Sequence, residues 1–197
     1  MAFVPKLVDH EQRRKEIASA VWRVMARDGV ADVSIRSVAA EAGWSSGALR
    51  HYFATRAELL AFACEEVIAQ VTERLMALKT SPDIRVAVAE VLLETLPVDE
   101  QRRIEASLSF AFLALGLGDP ELARVQRLLF SGMYELCLRL IRQLVPDPGR
   151  RTHESLARRL HALVDGLTVH VLAGHLAPDQ AIAELNVHLD ELTGVSR

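Results

Sequence analysis

Between Ser34 and Phe53 the chain gathers side chains suited to bonding an anion or the edge of a base. Ser45, Ser46, His51 and Tyr52 offer hydroxyl and imidazole groups at the spacing of one short helix. Arg50 can bond a phosphate, or take both acceptors of a guanine edge with two parallel N–H groups. Gly47 and Ala48 lie among them and are small enough for a helix backbone to come close to a partner. A glycine inside a helix costs about 1 kcal/mol. Its presence there points to close approach, with a plain packing gap as the other explanation. Phosphate clamps are expected at helix starts, where free backbone N–H groups and the helix dipole favour an anion. Ser34 with Arg36 marks one such start, and Thr55 with Arg56 the next. The chemistry expected is non-covalent recognition of double-stranded DNA.

The elements that must present these groups are short helices. Ser34 can cap one whose Ile35, Val38, Ala39 and Ala42 form an apolar face at helical spacing. Gly43 then supplies the left-handed residue that ends it. Ser45 or Ser46 starts a second helix of barely two turns, which Phe53 closes. Leu49 and Phe53 are expected to be core. Trp44 could stack along a DNA backbone or cover the small core. Helices this short are not stable alone. They are useful when braced at a steep angle, so that the second enters a major groove.

Nine helices are expected in all, and no strand. The first runs from Glu11 to Asp28, with Ile17, Val21 and Met25 in one stripe. The fourth reaches Lys79, the fifth runs from Pro82 to Leu96, and the sixth from Asp99 to Leu117. The seventh runs to Val145, the eighth from Thr152 to Ala173, and the ninth from Pro178 to Leu192. Aromatics at 5% and few glycines and prolines favour helices. The net charge of −3 is unevenly spread: residues 1–60 carry 9 Lys/Arg against 7 Asp/Glu, and residues 61–197 carry 14 against 19. A mildly basic head on an acidic body is compatible with DNA, because attraction follows the local field. No apolar run approaches the roughly 20 residues that span a bilayer. The first ten residues do not read as a secretory signal. Cys64 and Cys137 lie in apolar helical patterns and read as buried free thiols, with a disulfide as the minor alternative. A cytoplasmic protein is expected.

The string from the Ser34 cap through Ala39-x-x-Ala42-Gly43-x-Ser45, Gly47, Leu49 and Phe53 to Arg56-x-Glu58-Leu59-Leu60 resembles the DNA-binding domain of TetR-family transcriptional regulators. It covers about the first third of the chain. His51-Tyr52-Phe53 and the organisation of the remainder are nearer the BetI-like branch. Family members often carry an aromatic where this chain has Arg50, and a small aliphatic where it has Trp44. The resemblance implies an all-α protein with a three-helix DNA-binding domain over residues 1–54, its helix-turn-helix at 34–53. A ligand-binding and dimerisation domain over 55–197 follows. It also implies a backbone-clamping role for Arg56 and repression relieved by a small-molecule effector.

One head buries too little surface to select one operator, so two heads about 34 Å apart, a homodimer on a palindrome, are expected. The resemblance places the dimer seam on the last two helices. Candidates are Leu160, Leu163, Gly166, Leu167 and Val171 on the eighth, with Ile182, Leu185 and Leu189 on the ninth. The same stripes could instead close the subunit's own core. Helices four to seven would enclose the effector pocket. Phe62, Val67, Phe110, Leu113, Phe130, Met133, Tyr134 and Cys137 are candidate linings, and Glu105, His161 and Asp165 candidate polar contacts. Such a pocket suits a small amphipathic molecule, and its ring faces could attract a cation.

An enzyme is the first rival. No zinc-protease helix, Cys-x-x-Cys, phosphate loop or nucleophile elbow occurs, and no metal or cofactor is expected. His161 and Asp165, four apart, could join a metal site but read better as an ion pair. The second rival is a helical dimeric scaffold or small-molecule-binding protein without operator binding.

Overall fold

The computed structural model describes residues 6–116, 118–148 and 151–194. Among them are nine α-helices and no strand: α1 Lys6–Asp28, α2 Ile35–Ala42, α3 Ser46–Tyr52, α4 Arg56–Ala77, α5 Ile84–Leu93, α6 Glu100–Gly116, α7 Pro120–Leu144, α8 His153–Leu172 and α9 Pro178–Thr193. A 3-10 turn at Val30–Asp32, unforeseen in the sequence, joins α1 to α2. The start of α5 also differs from expectation. Pro82 lies outside the helix, and Asp83 caps it by accepting from the N–H groups of Arg85 and Val86. A carboxylate there satisfies two of the helix's orphan donors, which proline cannot do.

The chain forms two compact units, one of residues 1–67 with 111–125, the other of 68–110 with 126–197. The expected boundary at residue 54 therefore does not coincide with the compact units. The start of α4 belongs with the head because Leu59, Leu60 and Cys64 are buried there.

In the first unit α1 contributes Ile17, Val21 and Val24, fully buried at spacings of four and three. Val33, Val38 and Leu49 of the same unit are likewise without exposed surface. Polar ties brace it. Glu41 of α2 takes Arg23 Nε at 2.6 Å and Arg27 Nη1 at 2.8 Å from α1. These hydrogen bonds, that from Arg27 foremost, hold the Glu41 carboxyl below its usual pKa.

In the second unit α5, α7, α8 and α9 share a core that includes Val88, Leu92, Ile141, Leu160, Leu185 and Leu189. Arg85 ties α5 to α9 through Asp190 at 2.7 Å, Asn186 Oδ1 at 2.7 Å and the Asn186 carbonyl at 2.8 Å. Arg74 grips both carboxylate oxygens of the buried Glu105, at 2.5 and 2.6 Å, and reaches Glu94 at 3.1 Å. Arg102 holds the other oxygen of Glu94 at 2.6 Å. Cys64 and Cys137 are free and buried, and burial pushes each thiol up to about 12. No described helix is long and apolar enough to cross a membrane.

The leucine seam expected on α8 and α9 needs correction. Leu160, Leu185 and Leu189 have no exposed surface, and Leu167 and Val171 are buried too. These stripes pack the subunit's own core, because an amphipathic helix first spends its apolar face on its own fold. Leu163, Gly166 and Ile182 are only half-buried. Leu185→Ala is accordingly expected to cost about 2–5 kcal/mol, with the same loss at low and high protein concentration, as read by chemical denaturation. A loss that grows on dilution would return Leu185 to a subunit interface.

Candidate nucleic-acid interface

The turn that aims α3 is built from local chemistry. Ser34 and Ser37 form a reciprocal cap at the start of α2: the Ser37 N–H donates to Ser34 Oγ at 3.0 Å and the Ser34 N–H to Ser37 Oγ at 2.9 Å. The helix ends at Gly43, whose φ of 72° lies in the left-handed region. The Trp44 N–H then reaches back to the Ala39 carbonyl at 2.8 Å, the six-to-one bond of a Schellman stop. Ser45 Oγ accepts from the Ala48 N–H at 3.0 Å and starts α3.

Along α3 the inward residues are Leu49, with no exposed surface, and Phe53 just after the helix. The Phe53 ring packs on that of Phe62, centroids 5.0 Å apart. The opposite side carries Gly47, Ala48, Arg50 and His51, all exposed, with Ser45 exposed at the cap and Ser46 half-buried. A Cβ placed on Gly47 would meet nothing nearer than Ser45 Oγ at 3.9 Å, so no neighbour within the unit demands glycine there. The packing-gap explanation therefore loses its support. At the C-terminal end of α3 the Tyr52 ring meets Trp44 edge-on at 5.6 Å and His51 at 6.0 Å. Trp44 is half-buried, which agrees with a covering role.

The helix starts expected to clamp phosphate differ among themselves. Arg36 is exposed in the first turn of α2. Thr55 is exposed and caps α4 by accepting from the Glu58 N–H at 3.1 Å. Arg56 has other employment. Its Nε donates to the Val33 carbonyl at 2.6 Å and its Nη2 to the carbonyls of Val30 at 2.9 Å and Ala31 at 3.3 Å. The Val30 carbonyl also takes the Val33 N–H at 3.3 Å within the 3-10 turn, and the guanidinium fork serves it together with the Ala31 and Val33 carbonyls. Arg56 is thus a brace between α4 and the approach to α2, a use its place in a motif could not disclose.

The effector candidates divide between the units. Phe62 is buried in the first unit, between Phe53 and the Arg14 guanidinium, whose Cζ stands 4.6 Å from the ring centroid. Val67 and Leu113 also belong to that unit, and Val67 is buried. Glu105 is committed to Arg74 within an ion cluster of the second unit, so its expected role as a ligand contact is corrected to that of a structural ion pair. Phe110 is half-buried on α6.

The remaining six meet on α7 and α8. Phe130 lies against the His161 ring at 5.6 Å, and His161 Nε2 is 3.4 Å from Asp165 Oδ2. Met133 and Tyr134 pack against the core that holds Cys137. Burial raises the Asp165 carboxyl above its usual pKa, against an opposing pull from His161. Asp165 in turn adds to the burial that raises the Cys137 thiol. No cluster of three or more potential metal ligands occurs among the described residues.

Residues 17–62 match the family model for bacterial regulatory proteins of the tetR family, and residues 85–194 the C-terminal domain of BetI-type transcriptional repressors. The HTH-type transcriptional regulator PksA of Bacillus subtilis (strain 168) is 40% identical over 172 residues, covering 86% of this chain and 83% of PksA. A transcriptional regulator from Rhodococcus sp. Rha1 superposes with a TM-score of 0.80 at 26% identity, covering 92% of this chain and 96% of its own. The multidrug binding protein EbrR, in complex with ethidium, gives 0.66 at 28% identity, covering 90% and 98%.

The different employments of the two arginines have a measurable consequence. Arg56→Ala should destabilise the protein by roughly 1–3 kcal/mol, the cost of leaving the turn carbonyls short of donors. Arg50→Ala should change stability by less than about 0.5 kcal/mol, as expected for an exposed side chain. Denaturant titration followed by circular dichroism separates the two, and equal effects would contradict the assignment.

Proposed function

The chain belongs to the TetR family of transcriptional regulators, and from that premise we propose that it acts as a homodimeric repressor of a palindromic operator, released by a small-molecule effector. The observation that carries this reading is α3: a capped helix with Leu49 inward and Gly47, Ala48, Arg50 and His51 outward. Ser45, Ser46, Arg50 and His51 are its candidate base and phosphate contacts, with Ser34, Arg36, Tyr52 and Thr55 on the flanking backbone. The open space above Gly47 lets base edges come close to the helix.

The dimer is proposed on the outward sides of α8 and α9 rather than on their buried leucines. Val169 and Val187 are exposed at 44% and 52%. Ala162 and Ala183 are exposed on the same helices, and nothing lies within 4 Å of a Cβ placed on half-buried Gly166. Small residues with exposed valines suit close packing against the same surface of a second copy. An open groove of about 610 Å³, lined by Arg85, Val86, Ala183, Asn186, Val187 and Asp190, continues this face.

The effector is proposed to be an aromatic organic cation held by Phe130, Met133, Tyr134, His161 and Asp165. Support comes from the Asp165 carboxylate 3.4 Å from His161, whose ring lies 5.6 Å from that of Phe130, since ring faces and a nearby carboxylate favour positive charge, and from the ethidium complex of EbrR. The ligand shifts the dimer between states only through unequal affinity for them.

Two experiments test the proposal. Binding selection from random duplex DNA supplies a palindromic probe. On it Arg50→Ala should weaken binding about tenfold or more and reduce the salt slope by about one. Val187→Asp should yield monomers by light scattering and lose the palindrome, while keeping the wild-type helical content. Wild-type binding by Arg50→Ala, or an intact Val187→Asp dimer, would refute the corresponding assignment.

Ethidium fluorescence, in the absence of DNA, probes the effector site. Asp165→Asn should weaken ethidium severalfold at about pH 7.5, as expected for removing a half-buried opposite charge. The wild-type affinity should fall as acid protonates Asp165, at a higher pH than for an ordinary aspartate because its pKa is raised. An affinity indifferent to both changes would exclude Asp165 from the site.

A further inference from the structure

Arg13 lies on α1, far from the helix-turn-helix in sequence, and the first-third motif does not include it. Its Nη1 nevertheless donates to the Tyr52 hydroxyl oxygen at 3.1 Å, across 39 residues of chain. The Tyr52 ring is held from another side by the edge of Trp44. Both Arg13 and Tyr52 are half-buried, so this contact sits at the rim of the outward face of α3 rather than in the core. We propose that Arg13 is a positioning residue for operator binding: its guanidinium orients and polarises the Tyr52 hydroxyl, which donates its proton to a phosphate oxygen of the DNA.

The chemistry follows from the direction of the bond. A guanidinium has only donors, so it engages a lone pair of the hydroxyl and does not consume the O–H proton. A hydroxyl that accepts from a cation becomes a stronger donor, because hydrogen bonds in series polarise one another. Trp44 and Arg13 together restrict the ring and its hydroxyl before DNA arrives, which lowers the ordering cost of the contact. The neutral phenol then makes the phosphate contact, and the nearby cation strengthens it without itself neutralising a phosphate. This inference rests on the proposed reading of α3.

The test is a double-mutant cycle with full-length protein on the selected palindromic duplex, followed by fluorescence anisotropy at several salt concentrations. Arg13→Met should weaken binding about 5- to 10-fold in the wild-type background, the usual size for one lost charge-assisted hydrogen bond. In the Tyr52→Phe background the same substitution should cost less than about twofold, because its effect passes through the missing hydroxyl. The salt slope should stay unchanged, since no phosphate loses a cationic partner. Arg13→Lys, which keeps charge and a donor, should recover part of the loss, and all variants should melt with the wild type. Equal losses in both backgrounds would overturn the proposal. So would a salt slope lower by about one, which would make Arg13 a direct clamp, or no loss at all. If Arg50→Ala and Tyr52→Phe both bind normally, the reading of α3 falls and takes this inference with it. If those two lose binding and only the Arg13 cycle is additive, the reading of α3 stands and this inference alone is wrong.

Discussion

A helix of seven residues has no stability of its own in water. That constraint governs the helix-turn-helix unit of this protein. The α3 helix exists because Leu49 and Phe53 are drawn into a core made by α1, α2 and the start of α4. Burying the two ends of one inward stripe leaves the other side facing out. The exposure of Gly47, Ala48, Arg50 and His51 is therefore a consequence of packing as much as of their polarity. In the proposed reading of α3, a helix held by its neighbours in this way would lose little conformational freedom on meeting DNA.

The same economy appears in how the head uses its arginines. Among them Arg13, Arg23, Arg27 and Arg56 bond to groups of the protein itself. Two bring α1 against Glu41, one gathers the carbonyls of a 3-10 turn, and one meets the Tyr52 hydroxyl. Only some of the local positive charge is thus presented as exposed, unshared side chain, Arg36 and Arg50 among it. A count of basic residues overstates the charge offered to a phosphate backbone, because a guanidinium satisfied by carboxylates or carbonyls has less to give elsewhere. In the second unit Arg74 and Arg85 do comparable bracing work between helices.

Apolar stripes taught the opposite lesson. Leu185 and Leu189, with Leu160 on α8, follow a seam spacing that a partner helix would match. The fold uses them internally. The outward surface is made instead by Val169, Val187 and small residues that stood out in no periodicity. Periodicity identifies an apolar face but cannot say which neighbour covers it, since a helix of the same subunit and one of a second copy present identical chemistry. Glu105 and Phe62 illustrate the same limit: their types suit a ligand pocket, and the fold sets them against Arg74 and Phe53.

What could be read from the amino-acid order alone was set by short-range physics. The Ser34 and Ser45 caps, the left-handed Gly43, the closing Phe53 and the helical repeats of α1 and α9 all depend on residues within a turn or two. Such interactions are nearly the same in any context. The all-α architecture and the helix-turn-helix followed from them. Contacts between distant segments followed no such rule. The 3-10 turn at Val30–Asp32, the pairing of Arg56 with its carbonyls, the meeting of Arg13 with Tyr52 and the burial of the α9 leucines were settled only when the chain closed on itself. Each is a choice among several chemically equivalent partners, and only three-dimensional proximity makes that choice.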